Sequence, residues 1–195
     1  MRSYKRGFSL SELLIALFIV VITITLSIQV FISLNYNYQA ITTYLTSYVK
    51  GRQAIDIISK DCRIAIRIPD SFGGYTTATD CLILKVPSID SSRNIIDINN
   101  DFDHIIYRLD NGDLWKTVIP GTGSAREAQN KIIEKSIESF TASSDGVLLS
   151  GILHKSSITH VTIAISVAEI FRGKTYRIAP GTTVKLMNYE WEFVR

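Results

Sequence analysis

Glu12 is the residue most in need of an explanation. It stands one turn after Gly7 in the stretch YKRGFSLSELLIALFIVV (residues 4–21), at the threshold of an uncharged apolar run from Leu13 to Leu34. A carboxylate at the centre of a membrane helix costs ~2.5–3.5 kcal/mol on insertion scales, so an acid at the edge of such a run calls for water or for a charged partner. Other residues with chemical potential are few. Cys62 and Cys81 enclose a loop of about 20 residues. A disulfide between them is expected, tying the helix end to the first strand and stabilising the fold by ~3 kcal/mol in the chain-entropy model; the alternative is two buried free thiols. A metal centre is not expected, because there is no C-x-x-C and no neighbouring histidine pair. In DINNDFD, Asp97, Asn99 and Asp101 are spaced like the start of a calcium loop. The sixth position is not Gly and the twelfth is Arg108 in place of Glu, so a solvated acidic loop is expected. PGTGSAR (120–126) lacks the Lys-Ser/Thr ending of a phosphate loop and is expected to be a flexible connection. His104, His154 and His160 lie in or beside strand-like segments with no nucleophile motif and are expected to be structural. Trp115, Trp191 and the nine tyrosines read as core and interface residues. No enzyme and no cofactor are expected.

The elements that must carry these residues follow from patterning. The run Leu13–Leu34 has no charge, Pro or Gly, and as a helix would extend ~33 Å, enough to cross a ~30 Å hydrocarbon layer. Arg2, Lys5 and Arg6 precede it and the next basic residue is Lys50, which predicts a cytoplasmic N-terminus with everything after about residue 35 outside. An outside location permits disulfides. Those three basic residues account for the whole formal net charge of +3, so the remainder is neutral and lacks the basic field that nucleic-acid binding usually needs. Beyond Leu34, Ile41, Leu45, Tyr48, Ile55, Ile58, Cys62 and Ala65 recur at helical steps, interrupted by Arg52, and predict an amphipathic continuation ending near Ile68, before Pro69. Residues 69–195 read as mostly β. CLILKV (81–86) is a strand, HIIYRLDNGDLWKTV (104–118) a hairpin turning at Asn111-Gly112, HVTIAISVAEIF (160–171) a long strand, and TYRIAP with TTVKLMNYEWEFV the last strand regions. SAREAQNKIIEKSIESFTAS is expected to hold a short helix leading into a strand.

Three readings of the N-terminus compete. A cleaved secretory signal would need a shorter apolar region and a small-residue cleavage site, and SIQVFISLNYNYQ after the run offers bulky residues. A plain signal anchor fits the length and flanks but gives Glu12 no purpose. The third reading accounts for all features together. KRGFSLSELLIALFIVV resembles the type III signal of the type IV pilin superfamily: a short basic leader ending in Gly, an aromatic residue, a hydroxyl residue, and a glutamate fifth after the cut. Ser11 departs from the pattern, where relatives usually carry an apolar residue. The resemblance implies cleavage by a prepilin peptidase between Gly7 and Phe8 and N-methylation of Phe8. A glycine offers no side chain to obstruct the peptidase. It further implies that Glu12 pairs with the Phe8 amine of a neighbouring subunit during assembly.

A second, fainter resemblance rests on RQAIDIISKDCRIA, IIYRLDNGDLWK and TYRIAPGTTVKLMN, which look like the J-type minor pseudopilins of type II secretion. The two cysteines lie away from the C-terminal bridged loop of major pilins and argue for a minor subunit. The expected fold is α+β: leader 1–7, membrane half-helix 8–34, amphipathic half-helix 35–68, and an antiparallel β head at 69–195 packed on the helix. The implied function is a non-enzymatic minor pilin or pseudopilin of the bacterial inner membrane that enters a pilus or secretion pseudopilus, in its initiating or tip complex. Its implied partners are other pilins and the prepilin peptidase. The alternative is a single-pass anchored extracellular binding domain that never assembles.

Overall fold

The computed structural model describes residues 9–96, 102–152 and 158–187. The chain divides into two compact units, Met1–Thr42 and Thr43–Arg195, and one helix, α1 (Leu10–Ile64), contributes to both. Nothing in its first three-quarters interrupts it: from Leu10 to Lys50 there is neither Pro nor Gly. Within the first unit, apolar residues lie exposed on every side of the helix, from Leu14 and Leu17 to Ile28 and Phe31. A helix that is apolar all round belongs in a membrane or in the core of something larger. Thr23, Thr25 and Ser27 return their hydroxyls to the carbonyls of Ile19, Val21 and Thr23 at 2.8 Å each, so these polar residues leave no bare hydroxyl for lipid to solvate.

In the second unit α1 buries one face, formed by Ser47, Gly51, Ala54, Ile55, Ile58, Ser59 and Cys62. The predicted stripe is therefore split. Ile55, Ile58, Cys62 and Ala65 are buried as expected, but Ile41, Leu45 and Tyr48 are exposed and Arg52 lies outside the packed face, facing Asp56 at 3.6 Å. The helix also ends at Ile64, four residues before the expected point. Arg63 in the last turn suits the negative end of the helix, and beyond it the backbone joins a sheet edge. The Ile66 N–H donates to the Lys85 carbonyl at 2.8 Å, and the Lys85 N–H to the Arg67 carbonyl at 2.9 Å.

The strands that follow are β1 (Ser71–Phe72) and β2 (Tyr75–Thr76), a small hairpin, then β3 (Cys81–Pro87), β4 (Phe102–Asp110), β5 (Asp113–Ile119) and β6 (Gln129–Glu134), which form a four-stranded antiparallel sheet in sequence order. β7 (Ile137–Ser144), β8 (Val147–Leu148), β9 (His160–Phe171), β10 (Lys174–Ile178) and β11 (Gly181–Lys185) form the second sheet. One edge of β9 pairs with β7; along the other, β11 covers its first half and β10 its second. The fold is α+β. Four hairpins turn on two residues that both have positive φ: Gly73-Gly74, Asn111-Gly112, Asp145-Gly146 and Arg172-Gly173. That is the signature of the type I′ turn, whose twist matches the strands it joins. The short helix expected within residues 124–143 is absent: the segment holds β6, then Ser136 at φ 62°, then β7. Pairing with β5 overrides the helical propensity of EAQNKIIEK.

Candidate processing and assembly site

Gly7 and Phe8, the expected cleavage point, lie outside the described residues, as do Asp97, Asn99, Asp101, His154 and Trp191. Ser9 and Glu12 are described, and they are joined. The Ser9 hydroxyl accepts from the Glu12 N–H at 3.2 Å, while Glu12 Oε2 accepts from the Ser9 N–H at 2.9 Å and from its hydroxyl at 3.1 Å. This is a capping box, in which the N-cap serine and the acid three residues later each satisfy a backbone donor that the helix cannot. The negative charge also faces the positive end of the helix. Sequence reasoning assigned Glu12 to a neighbouring subunit and passed over Ser9, although S-x-x-E before an apolar run is a helix-start signal. Glu12 thus has a role within its own chain, whatever else it does.

The structure differs on the cysteines. Both thiols are free, with Cys62 buried and Cys81 partly buried. The reason is strand parity. Leu82 and Leu84 enter the main core, so Cys81, one residue before, projects from the opposite face of the sheet, where Arg108 is its register partner. Cys62 sits inside that core. Burial, with Asp61 adding to it, pushes the Cys62 thiol up to about 12; burial and Asp80 push Cys81 up to about 11 against the opposing pull of Arg108. Neither is a thiolate at neutral pH, so neither is an activated nucleophile.

Two polar clusters in the head were not anticipated. Asp61 on α1 accepts from Tyr107 Oη and from Lys116 Nζ, which ties the helix end to β4 and β5. Burial and the Asp61 carboxylate raise the Tyr107 phenol, so it stays the donor. The second cluster is centred on Asp103, whose side chain is fully buried. It accepts from Ser88 Oγ (2.8 Å), the Gly121 N–H (2.8 Å), Ser124 Oγ (2.9 Å) and Arg126 Nε (2.6 Å). Burial alone would raise this carboxyl; the Gly121 N–H, with Arg126, Ser88 and Ser124, outweighs it and holds Asp103 below the ordinary range. Residues 120–126 are therefore pinned by Asp103, where a flexible connection was expected. Among the described residues, no group of three or more His, Cys, Asp or Glu is placed to hold a metal.

His160 meets Thr159 Oγ1 at 2.9 Å through Nδ1. His104 is not the fully satisfied structural histidine expected, since its Nδ1 is buried with no hydrogen-bond partner.

Residues 2–28 match the model of the prokaryotic N-terminal methylation motif. The match spans Gly7, Phe8, Ser9, Glu12 and most of the apolar run. This motif and the exposed apolar helix fit a membrane-anchored pilin-like subunit. The motif supports a likeness to the type IV pilin-like superfamily, whose structural subunits in general assemble with one another after processing by a prepilin peptidase. No curated protein matches the chain at significant similarity.

Proposed function

We propose that this chain is a minor pilin or pseudopilin, cut between Gly7 and Phe8, methylated at Phe8, and assembled through α1 into a type IV pilus-like fibre or a type II secretion pseudopilus. Its N-terminus faces the cytoplasm and its head the outside; its place is in the initiating or tip complex, and it performs no catalysis. The observation that carries the reading is the surface of α1 past the membrane length. The helix has no charged residue from Leu13 to Val49, 37 residues, or ~55 Å at helical rise, against a hydrocarbon layer of ~30 Å. The outer part still exposes Tyr36, Tyr38, Ile41, Tyr44, Leu45 and Tyr48. Water alone does not favour such a surface, and the helices of adjoining subunits would cover it.

The capping box favours the rival reading, an anchored binding domain that never assembles, because it gives Glu12 an intrachain reason to exist. Glu12→Ala separates the two. In an assembling pilin it should keep membrane insertion and cut recovery in the sheared fibre fraction by at least ten-fold, measured in the native host. Unchanged recovery, or absence of the wild-type chain from that fraction, supports the anchor.

A further inference from the structure

Ile83 and Ile106 are fully buried, yet they alternate with Leu82, Leu84, Ile105 and Tyr107 of the main core and so occupy the opposite face of the first sheet. The β1–β2 hairpin reaches that outer face. Phe72 lies flat on His104, with 3.4 Å between ring centroids and 7° between planes. Gly73 comes so near Ile119 that a Cβ would stand 3.2 Å from its Cδ1. Tyr75 flanks the Arg108 guanidinium at 6.0 Å, and the same guanidinium covers Trp115 at 5.3 Å. Two residue pairs make the hairpin's ladder, and its base is closed by the Thr77 N–H to Asp70, the Thr77 hydroxyl to Pro69 and the Ala78 N–H to Cys81, all on backbone carbonyls.

Under this hairpin His104 is 8% exposed, and its Nδ1 has no partner. The charged groups around it come from two strands. Lys85 is its register partner on β3, with Arg67 paired to Lys85 in turn, and Asp103 precedes it on β4, already engaged by Arg126. From β5 it meets the uncharged Ile119 as register partner, and from the hairpin the uncharged Phe72. A proton placed on His104 would therefore be buried beside a cation, on a ring with no acceptor offered at Nδ1.

We propose that the β1–β2 hairpin is an acid-released flap: protonation of His104 lifts Phe72 and the hairpin off the outer face of the first sheet and uncovers the apolar strip of Ile83 and Ile106. The linkage follows directly. Burial and Lys85 hold His104 down at about 4 in the closed form, against the opposing pull of Asp103 and the Phe102 backbone. In the open form the ring returns to water and to ~6.5, so the open form binds the proton more readily. Opening is then least favoured above pH ~6.5 and rises as pH falls toward about 4; at pH 5 the opening constant should be ~30-fold that at pH 8. This flap does not depend on any role in assembly.

The test is hydrogen exchange on the full chain in detergent micelles, at pH 8 and pH 5, corrected for the intrinsic pH dependence of exchange. The Thr77 and Ala78 amides should lose ~30-fold in protection while amides of the β4–β5 ladder lose none. His104→Phe, which keeps a ring under Phe72 but cannot titrate, should abolish the difference, and His104→Gln should do so independently if the first variant folds poorly. Equal protection at both pH values overturns the proposal, as does a pH-dependent loss that persists in both variants or that spreads evenly through the sheet.

Discussion

The buried carboxylate of Asp103 draws together three segments of the head. Five bonds converge through it and Arg126: four on its carboxylate, and one from Arg126 to the Pro87 carbonyl at 3.2 Å. Together they lock the end of β3, the start of β4 and the connection after β5. Asp103→Asn keeps the shape but leaves Arg126, mostly buried, facing a neutral amide. The expected loss is ~3–5 kcal/mol, as for other buried pairs broken on one side, and thermal unfolding of the full chain in detergent would read it. Because Asp103 is held below its unfolded value, its contribution is complete above pH ~4 and is lost as pH falls further; Asp103→Asn should flatten that acid limb. None of this was legible in the sequence, where DINNDFD read as a solvated acidic loop and PGTGSAR as a flexible connection. The bonds link positions up to 39 residues apart, and periodicity carries no information about such pairs. Ser9 and Glu12 were the opposite case, a local three-residue spacing in plain view.

At the scale of elements, helix against sheet is where small volumes decide. Gly51 lies on the buried face of α1, and a Cβ there would stand 2.8 Å from Pro180 Cγ and 3.2 Å from Val167 Cγ2. Replacing a helix glycine by alanine ordinarily gains ~1 kcal/mol. Here the added methyl meets a proline ring, which cannot swing aside, and overpacking costs ~1–3 kcal/mol. Gly51→Ala should therefore destabilise the head by about 1 kcal/mol, and Pro180→Ala in the same chain should recover most of it; a rise in melting temperature for Gly51→Ala alone would contradict this packing. The same scale explains what was readable. CLILKV, the hairpin around Asn111-Gly112 and the strand 160–171 declare themselves through alternation and turn chemistry, and all appear with those boundaries or nearly so. The helix end was misplaced because Ile66 and Arg67 are claimed by β3, and β6 was misread because its strand state depends on β5. The buried stripe of α1 was misplaced for a related reason. Its packed face uses small residues, Ser47, Gly51 and Ala54, while the larger Ile41, Leu45 and Tyr48 stay outside.

For the whole molecule, charge and exposure give the most direct account of function. All of the net charge sits before Gly7, the helix is uncharged from Leu13 to Val49, and the remaining charges, balanced in number, fall almost entirely beyond it. A basic leader, a helix that shuns both charge and helix-breakers for ~55 Å, and a head with buried polar networks are what the proposed subunit, processed and then packed helix to helix, would need. Everything in that proposal turns on the bond between Gly7 and Phe8. The decisive measurement is the mass of the mature N-terminus, taken on protein from its own host. The account predicts a chain that begins at Phe8 and is heavier by the ~14 Da of one methyl group. A chain that still begins at Met1, or one that begins beyond the apolar run, would contradict it.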